Sequence, residues 1–326
     1  MHLLATRPGA VGDGAEAIDL QQSPGDIVFL STADSEIACL AAARARLGED
    51  PRFPSLRLAS LLQLGHPLSV DLYVEKVLAH ARLVIVRLLG GRSYWSYGLE
   101  QVCAACRQQG TPLAVLPGDD QPDAELAQLS TAPHEAQHRL WRYLVEGGID
   151  NAVELLKYTA SLLGDDRPWE EPRPLMHAGL YSRGKPASGA LDSRPPSSAP
   201  VAVLVFYRAL VQAGNVAVID ALVDALTAAG LNPRPVWVTS LKDPLSAATL
   251  AQLLLDAQPD IILNATGFAV ATPGAAENGD SGPFAALGCP VLQVIFAGSD
   301  AVSWREGLQG LPARDIAMNV ALPEVD

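Results

Sequence analysis

From residue 26 to residue 119, short apolar runs alternate with amphipathic stretches. DIVFLST (26–32) is apolar with one β-branched pair, ARLVIVRLLGG (81–91) is a longer buried run closed by two glycines, and TPLAVLPGD (111–119) is a third. Runs of this length bounded by turn residues read as strands. Between them lie helical patterns: EIACLAAARARL (36–47) with Asp34 and Ser35 as candidate caps, SVDLYVEKVLAH (69–80) with Ser69 or Asp71 near its start, and YGLEQVCAACRQQG (97–110) ended by Gly110. SLRLASLLQL (55–64) fits strand or helix equally. Strand and helix alternating through short links predict parallel βαβ units.

From about 123 to 163 the pattern becomes helical, with Trp141, Leu144, Val145, Ile149, Val153, Leu156 and Ala160 at three- and four-residue steps. Gly147-Gly148 divides this stretch into two helices. Residues 164–200 are rich in Pro, Gly and Ser and read as a linker or loose hairpin. A second α/β region opens at PVAVLVFYR (200–208) and continues with a helix over 215–229, a strand in PRPVWVTS (233–240), a helix in AATLAQLLLDA (247–257) and a strand in DIILNATG (260–267). GCPVLQVIFAGS (288–299) predicts a further strand, and DIAMNVALPEVD (315–326) a last strand with an extended tail. The expected fold is therefore α/β: two Rossmann-like or flavodoxin-like parallel-sheet regions joined by a helical segment and a Pro/Ser-rich linker. The expected domains are 1–122, a helical segment 123–165, a linker 166–199 and a second α/β domain 200–326. The sequence stops in the apolar-acidic segment ALPEVD, which by itself reads evenly as the cut edge of something longer, with the second domain truncated at its C-terminal side, or as a domain that simply ends.

Composition narrows the function classes. The 326 residues are 49% apolar and 18% charged, which is globular, and the net charge of -13 comes with no basic stripe. Nucleic-acid binding needs clustered cations to neutralise phosphates, so it is not expected. No uncharged apolar stretch reaches the ~18 residues of a membrane span, and the N-terminus lacks a signal-peptide pattern. Four cysteines in a chain this long make no disulfide scaffold, and a reducing cytoplasm is the expected compartment.

Three short motifs suggest chemistry. His134-Glu135-Ala136-Gln137-His138 has the HExxH spacing that puts two imidazoles on one helix face. Pro133 places it in a first helical turn and nothing marks Glu146 or Glu154 as a third ligand, so a solvated helix start is the simpler reading. Gly179-Leu180-Tyr181-Ser182-Arg183-Gly184-Lys185 follows the phosphate-loop pattern, but Pro186 stands where a Ser or Thr would hold Mg²⁺, and no helix follows. Cys103 and Cys106 lie within a helix, not at its N-terminus where a redox pair is activated, and read as core residues.

In open α/β sheets ligands bind beyond the carboxyl ends of the strands. That rule selects Gly90-Gly91-Arg92-Ser93-Tyr94-Trp95-Ser96-Tyr97, where a cation and three aromatics suit a large planar ligand with acidic side arms. It also selects Tyr207-Arg208 with Gly214-Asn215, and Asn264-Ala265-Thr266-Gly267-Phe268. The expected contact residues are Arg92, Tyr94, Trp95, Tyr207, Arg208, Asn215, Asn264 and Thr266.

DIVFLSTADSEIACLAAA, LRLASLLQLGHPLSVDLYVEKVLAHARLVIVRLLGGRSYWSYGLEQ and LWRYLVEGGIDNAVELLKY resemble the N-terminal part of cobaltochelatase large subunits. So do VLVFYRALVQAGNVAVIDALVDALTAAGLNPRPVWVTSLKD, PDIILNATGFA and ARDIAMNVALPEVD. The family is similar to the large H-type subunit of magnesium chelatase, but LQLGHPLSVDLYVE and GGRSYW look more like the cobalt branch. The resemblance implies a much longer tetrapyrrole-binding subunit and insertion of cobalt into the corrinoid hydrogenobyrinic acid a,c-diamide. It implies two partner subunits of the AAA+ type that hydrolyse ATP, with cobalt as substrate and no resident cofactor. The family's suspected metal-inserting residues would lie beyond Asp326, so no catalytic residue is carried over, and the head alone would be inactive. A docking or scaffold module within a cobalt or magnesium chelatase complex is the alternative role.

Overall fold

The computed structural model describes residues 16–183, 199–267, 283–284, 287–299, 301–308, 310–317 and 319. The chain divides into two compact units, one of Met1–Pro174 with Gln212–Gly214 and one of Leu175–Val211 with Asn215–Asp326.

The first unit is built on four parallel strands, β1 (Ile27–Ser31), β2 (Leu56–Ser60), β3 (Leu83–Leu88) and β4 (Leu113–Pro117), in the order β2-β1-β3-β4. The strand side chains alternate between two cores. Val28, Leu30, Val84, Val86 and Val115 meet α2 (Pro67–Lys76), α3 (Ser96–Gln109) and α4 (Ala124–Leu129). Phe29, Leu83, Ile85, Ala114 and Leu116 meet α1 (Asp34–Arg46), α5 (His134–Glu146) and α6 (Ile149–Leu162). Burial on both faces explains why these strands read as continuous apolar runs. Each large apolar side chain taken fully from water contributes about 1.5–3 kcal/mol. Gly147 and Gly148, with φ of 67° and 85°, separate α5 from α6 in a conformation that side-chain-bearing residues resist.

The ambiguous run 55–64 holds both predicted forms, β2 followed by a 3-10 turn over Leu61–Leu64. Two predicted helix starts need correction. Neither Asp34 nor Ser35 caps α1; its N-cap is Ala33, and Ser31 Oγ accepts from Ala33 N at 3.0 Å instead. The helix α2 begins before Ser69, because Pro67 fits a first helical turn and the His66 ring accepts from Leu68 N at 3.1 Å.

The second unit carries five strands in the order β5-β7-β6-β8-β9. These are β5 (Ala178–Leu180), β6 (Val201–Tyr207), β7 (Asn232–Val238), β8 (Ile261–Asn264) and β9 (Val291–Gln293), all parallel except β5. The helices α7 (Arg208–Gln212) and α8 (Ala217–Ala228) cover one face through Leu210, Ile219, Leu222 and Leu226. The other face is covered by α9 (Pro244–Ala257) through Leu250, Leu253 and Leu254. The segment read as linker thus contributes an edge strand: Gly179 pairs with Trp237, and a Cβ on Gly179 would meet the indole at 2.5 Å. The loop predicted after β6 is itself helical over 208–212 before α8 starts at 217. Of the run 288–299 only Val291–Gln293 is strand.

The predicted last strand is a correction. Residues 313–316 form the short helix α11 (Ala313–Ile316), preceded by α10 (Ala301–Glu306). Asp315 accepts from Gly298 N at 2.7 Å through its carboxylate and from Asn319 Nδ2 at 2.9 Å through its carbonyl, a four-residue step that suits a helical turn and not a strand. Phe268, Gly184-Lys185-Pro186 and the tail 321–326 lie outside the described residues.

Candidate functional site

Chain order fixes where a ligand crevice can open in each sheet. In the second unit β6 connects to β7 on one side, and the chain then crosses back to β8 on the other. The strand order reverses between β6 and β8, and the carboxyl ends of a parallel sheet open a crevice at such a point. Two of the three loops picked out from sequence converge there, in register Val205↔Asn264. Tyr207 ends β6 and its hydroxyl accepts from Gly267 N at 3.1 Å. Arg208 opens α7, half-buried, and Asn215 is exposed, with its backbone N–H donating to Leu210 O at 2.9 Å.

Asn264 and Thr266 are buried and work inward. Asn264 Oδ1 accepts from Thr266 Oγ1 at 2.8 Å, Asn264 Nδ2 donates to Gln293 Oε1 at 3.0 Å, and Gln293 Nε2 donates to Thr266 O at 2.7 Å. A closed network of this kind fixes backbone shape. These two side chains therefore hold the loop after β8, and Tyr207 and Arg208 lie half-buried at the end of β6 beside it. Gln293 was not among the residues singled out from sequence; an amide in a short apolar run gives no pattern to find it by.

In the first unit the reversal falls between β1 and β3. The loop after β3 carries Gly90 and Gly91 at φ of 94° and 72°, the Gly-Gly turn expected. Arg92 and Tyr94 are exposed, and Arg92 lies 3.3 Å from Glu125 and 3.5 Å from Glu100. Trp95, expected to touch a ligand, is 7% exposed, its Nε1 donates to Leu64 O at 2.8 Å, and its ring packs against Gly98, where a Cβ would fall 2.0 Å away. The indole closes the core beneath the loop. At the reversal itself sits Arg87, buried in β3 beside Ser31 of β1. Its Nε lies 3.0 Å from Glu36 Oε1 and its Nη2 donates to Gly118 O at 3.0 Å. Burial pushes the guanidinium pKa down, opposed by the charges of Glu36 and Asp119. No motif led to this pair, although an arginine inside LVIVRLL was visible.

The short motifs resolve structurally. His134 and His138 are exposed on the first turns of α5, and Glu135 pairs with Arg139 at 3.1 Å. Among the described residues no group of three or more His, Cys, Asp and Glu is placed to hold a metal ion. Gly179-Leu180 is strand, and Arg183 is answered by Asp224 at 2.9 Å and Asp220 at 3.2 Å. Cys103 and Cys106 are buried free thiols; burial raises both, Cys106 to about 12, so neither is a ready thiolate. A cavity of about 460 Å³ in the first unit is lined by Asp50, Arg52, Arg82, Asp165 and Arg167 at the opposite, amino ends of the strands, where Arg167 pairs with Asp50 and Asp165. Among the described residues no helix is long and apolar enough to cross a membrane.

The model of the family described as CobN/Magnesium Chelatase matches residues 141–326. The aerobic cobaltochelatase subunit CobN of a Sinorhizobium species is 47% identical, and that of Pseudomonas aeruginosa 41% identical, each over 100% of this chain. The alignments take in 26% of each of those proteins, so the chain spans about a quarter of the length of these curated relatives. Among solved structures, the catalytic subunit of cobaltochelatase from Mycobacterium tuberculosis superposes with a TM-score of 0.68 at 27% identity, over 92% of this chain and 24% of that one.

Proposed function

From the premise that this chain belongs to the CobN/magnesium chelatase family, we propose that it is the tetrapyrrole-contacting head of a cobaltochelatase large subunit. The observation that carries this reading is 47% identity to a cobaltochelatase subunit along the whole chain. The ligand proposed is hydrogenobyrinic acid a,c-diamide, whose acidic side arms suit the Arg208 guanidinium and whose macrocycle offers a face to the Tyr207 ring. The crevice between β6 and β8 receives it. Asn264, Thr266 and Gln293 hold the loop that forms one wall, and Asn215 marks the rim at the start of α8.

The chain's own residues bind and orient; none is assigned a step in metal insertion. Cobalt enters as substrate, in the larger subunit, and ATP is hydrolysed by two AAA+ partner subunits in the cytoplasm. Arg92 and Tyr94, exposed beyond β3, are proposed to meet those partners or the remainder of the subunit. A buried tetrapyrrole quenches nearby indoles, so titrating the chain with hydrogenobyrinic acid a,c-diamide and following Trp fluorescence tests the reading. Saturable quenching is expected. Absence of quenching, with binding retained by a full-length subunit, leaves the head as a docking module.

A further inference from the structure

The reversal point of the first sheet is filled from within. Arg87 is 2% exposed, yet among the described residues its Nη1 has no hydrogen-bond partner, and its Nε meets Glu36 Oε1 at 3.0 Å without the alignment of a hydrogen bond. The other Glu36 oxygen accepts from Ser31 Oγ at 2.8 Å. Glu36 itself lies in the first turn of α1, where the helix dipole favours negative charge, while its own amide and that of Ile37 donate to Ala33 O at 3.0 and 3.3 Å. A buried guanidinium, a serine hydroxyl and a helix N-terminus thus converge where this kind of sheet holds ligands, and a carboxylate sits among them. That carboxylate belongs to the chain.

We propose that the β1/β3 reversal point is a carboxylate-binding site that the chain occupies with its own Glu36. It accepts a free small monocarboxylate once that side chain is removed. Glu36→Ala deletes a CH₂–CO₂⁻ group, which acetate replaces atom for atom.

Thermal unfolding of the full chain provides the test. Leaving Arg87 buried without its Glu36 carboxylate, with only the Gly118 carbonyl bond and the nearby Asp119 charge remaining, is expected to lower Tm by roughly 10 °C. Sodium acetate should then restore most of that loss in Glu36→Ala in a saturable way, as a ligand of the native state does. Sodium chloride at matched ionic strength should not, and Glu36→Ala/Arg87→Leu should show no acetate response. If Glu36→Ala does not fold in chloride, the yield of folded chain in acetate against chloride becomes the readout, with recovery expected in acetate alone. Equal effects of acetate and chloride, an acetate response that survives loss of Arg87, or no recovery in either salt would overturn the proposal.

Discussion

Gly179 shows how one residue changes meaning between sequence and structure. In the sequence it is the first glycine of a phosphate-loop pattern that fails at Pro186; in the fold it gives Trp237 room to lie across β5. Gly179→Ala forces a methyl to within 2.5 Å of a buried indole and is expected to destabilise the second unit by about 1–3 kcal/mol, read as a lower urea midpoint. Tyr207 likewise has a structural part, whatever it contacts. Tyr207→Phe removes the acceptor for Gly267 N and is expected to cost about 1 kcal/mol of stability, measured by the same unfolding curve. Trp95 could not be placed from sequence. Two glycines, an arginine and three aromatics look alike whether the aromatics stack on a ligand or close a core; only the Leu64 carbonyl and the tight approach of Gly98, far or hidden in the sequence, decide it.

At the scale of elements, the apolar runs were legible because β1, β3, β4 and β6 are buried on both faces and, apart from Arg87 and the terminal Ser31 and Tyr207, carry no polar side chains. Helix starts were less so. The cap of α2 is a histidine ring and α1 has none, so rules built on Ser, Thr, Asp and Asn misplace both. The end of the chain misled for a physical reason: DIAMNV is apolar and short, the length at which strand and helix cannot be told apart, and Asp315 settles it by anchoring Gly298. The amino ends of β1 and β2 are joined by Asp26, whose carboxylate accepts from Ser55 Oγ at 2.6 Å and Ser55 N at 2.8 Å. The Ser55 hydroxyl, then the Ser55 amide and Arg82, hold its pKa below the usual value, against the effect of burial. A depressed carboxylate pKa contributes stability that is complete above the unfolded-state value of about 3.9 and is lost as pH falls through the folded-state value. Asp26→Asn should therefore lower the urea midpoint at pH 7, and its gap from the parent chain should close as pH falls below about 4. A gap unchanged between pH 7 and pH 3 would assign Asp26 no ionic role.

For the whole molecule, two parallel sheets each reverse strand order once, and sequence patterning had already put its candidate loops beside both reversals. It could not say what occupies each reversal. The first is filled by Glu36 and Arg87, which no motif marks; beside the second, Asn264, Thr266 and Gln293 form a hydrogen-bonded network and the Tyr207 hydroxyl accepts from Gly267 N. The net charge of -13 gives the molecule no general attraction for an acidic ligand, so the proposed corrinoid contact rests on a local cation, and Arg208 at the start of α7 is the candidate. The most direct measurement is the equilibrium affinity for hydrogenobyrinic acid a,c-diamide of the parent chain, Arg208→Ala and Arg92→Ala side by side. Loss of a charge-assisted contact predicts binding weaker by at least about tenfold for Arg208→Ala and nearly unchanged for Arg92→Ala. Unaltered affinity in a folded Arg208→Ala chain, or a loss confined to Arg92→Ala, would contradict the assignment of the ligand to the second unit.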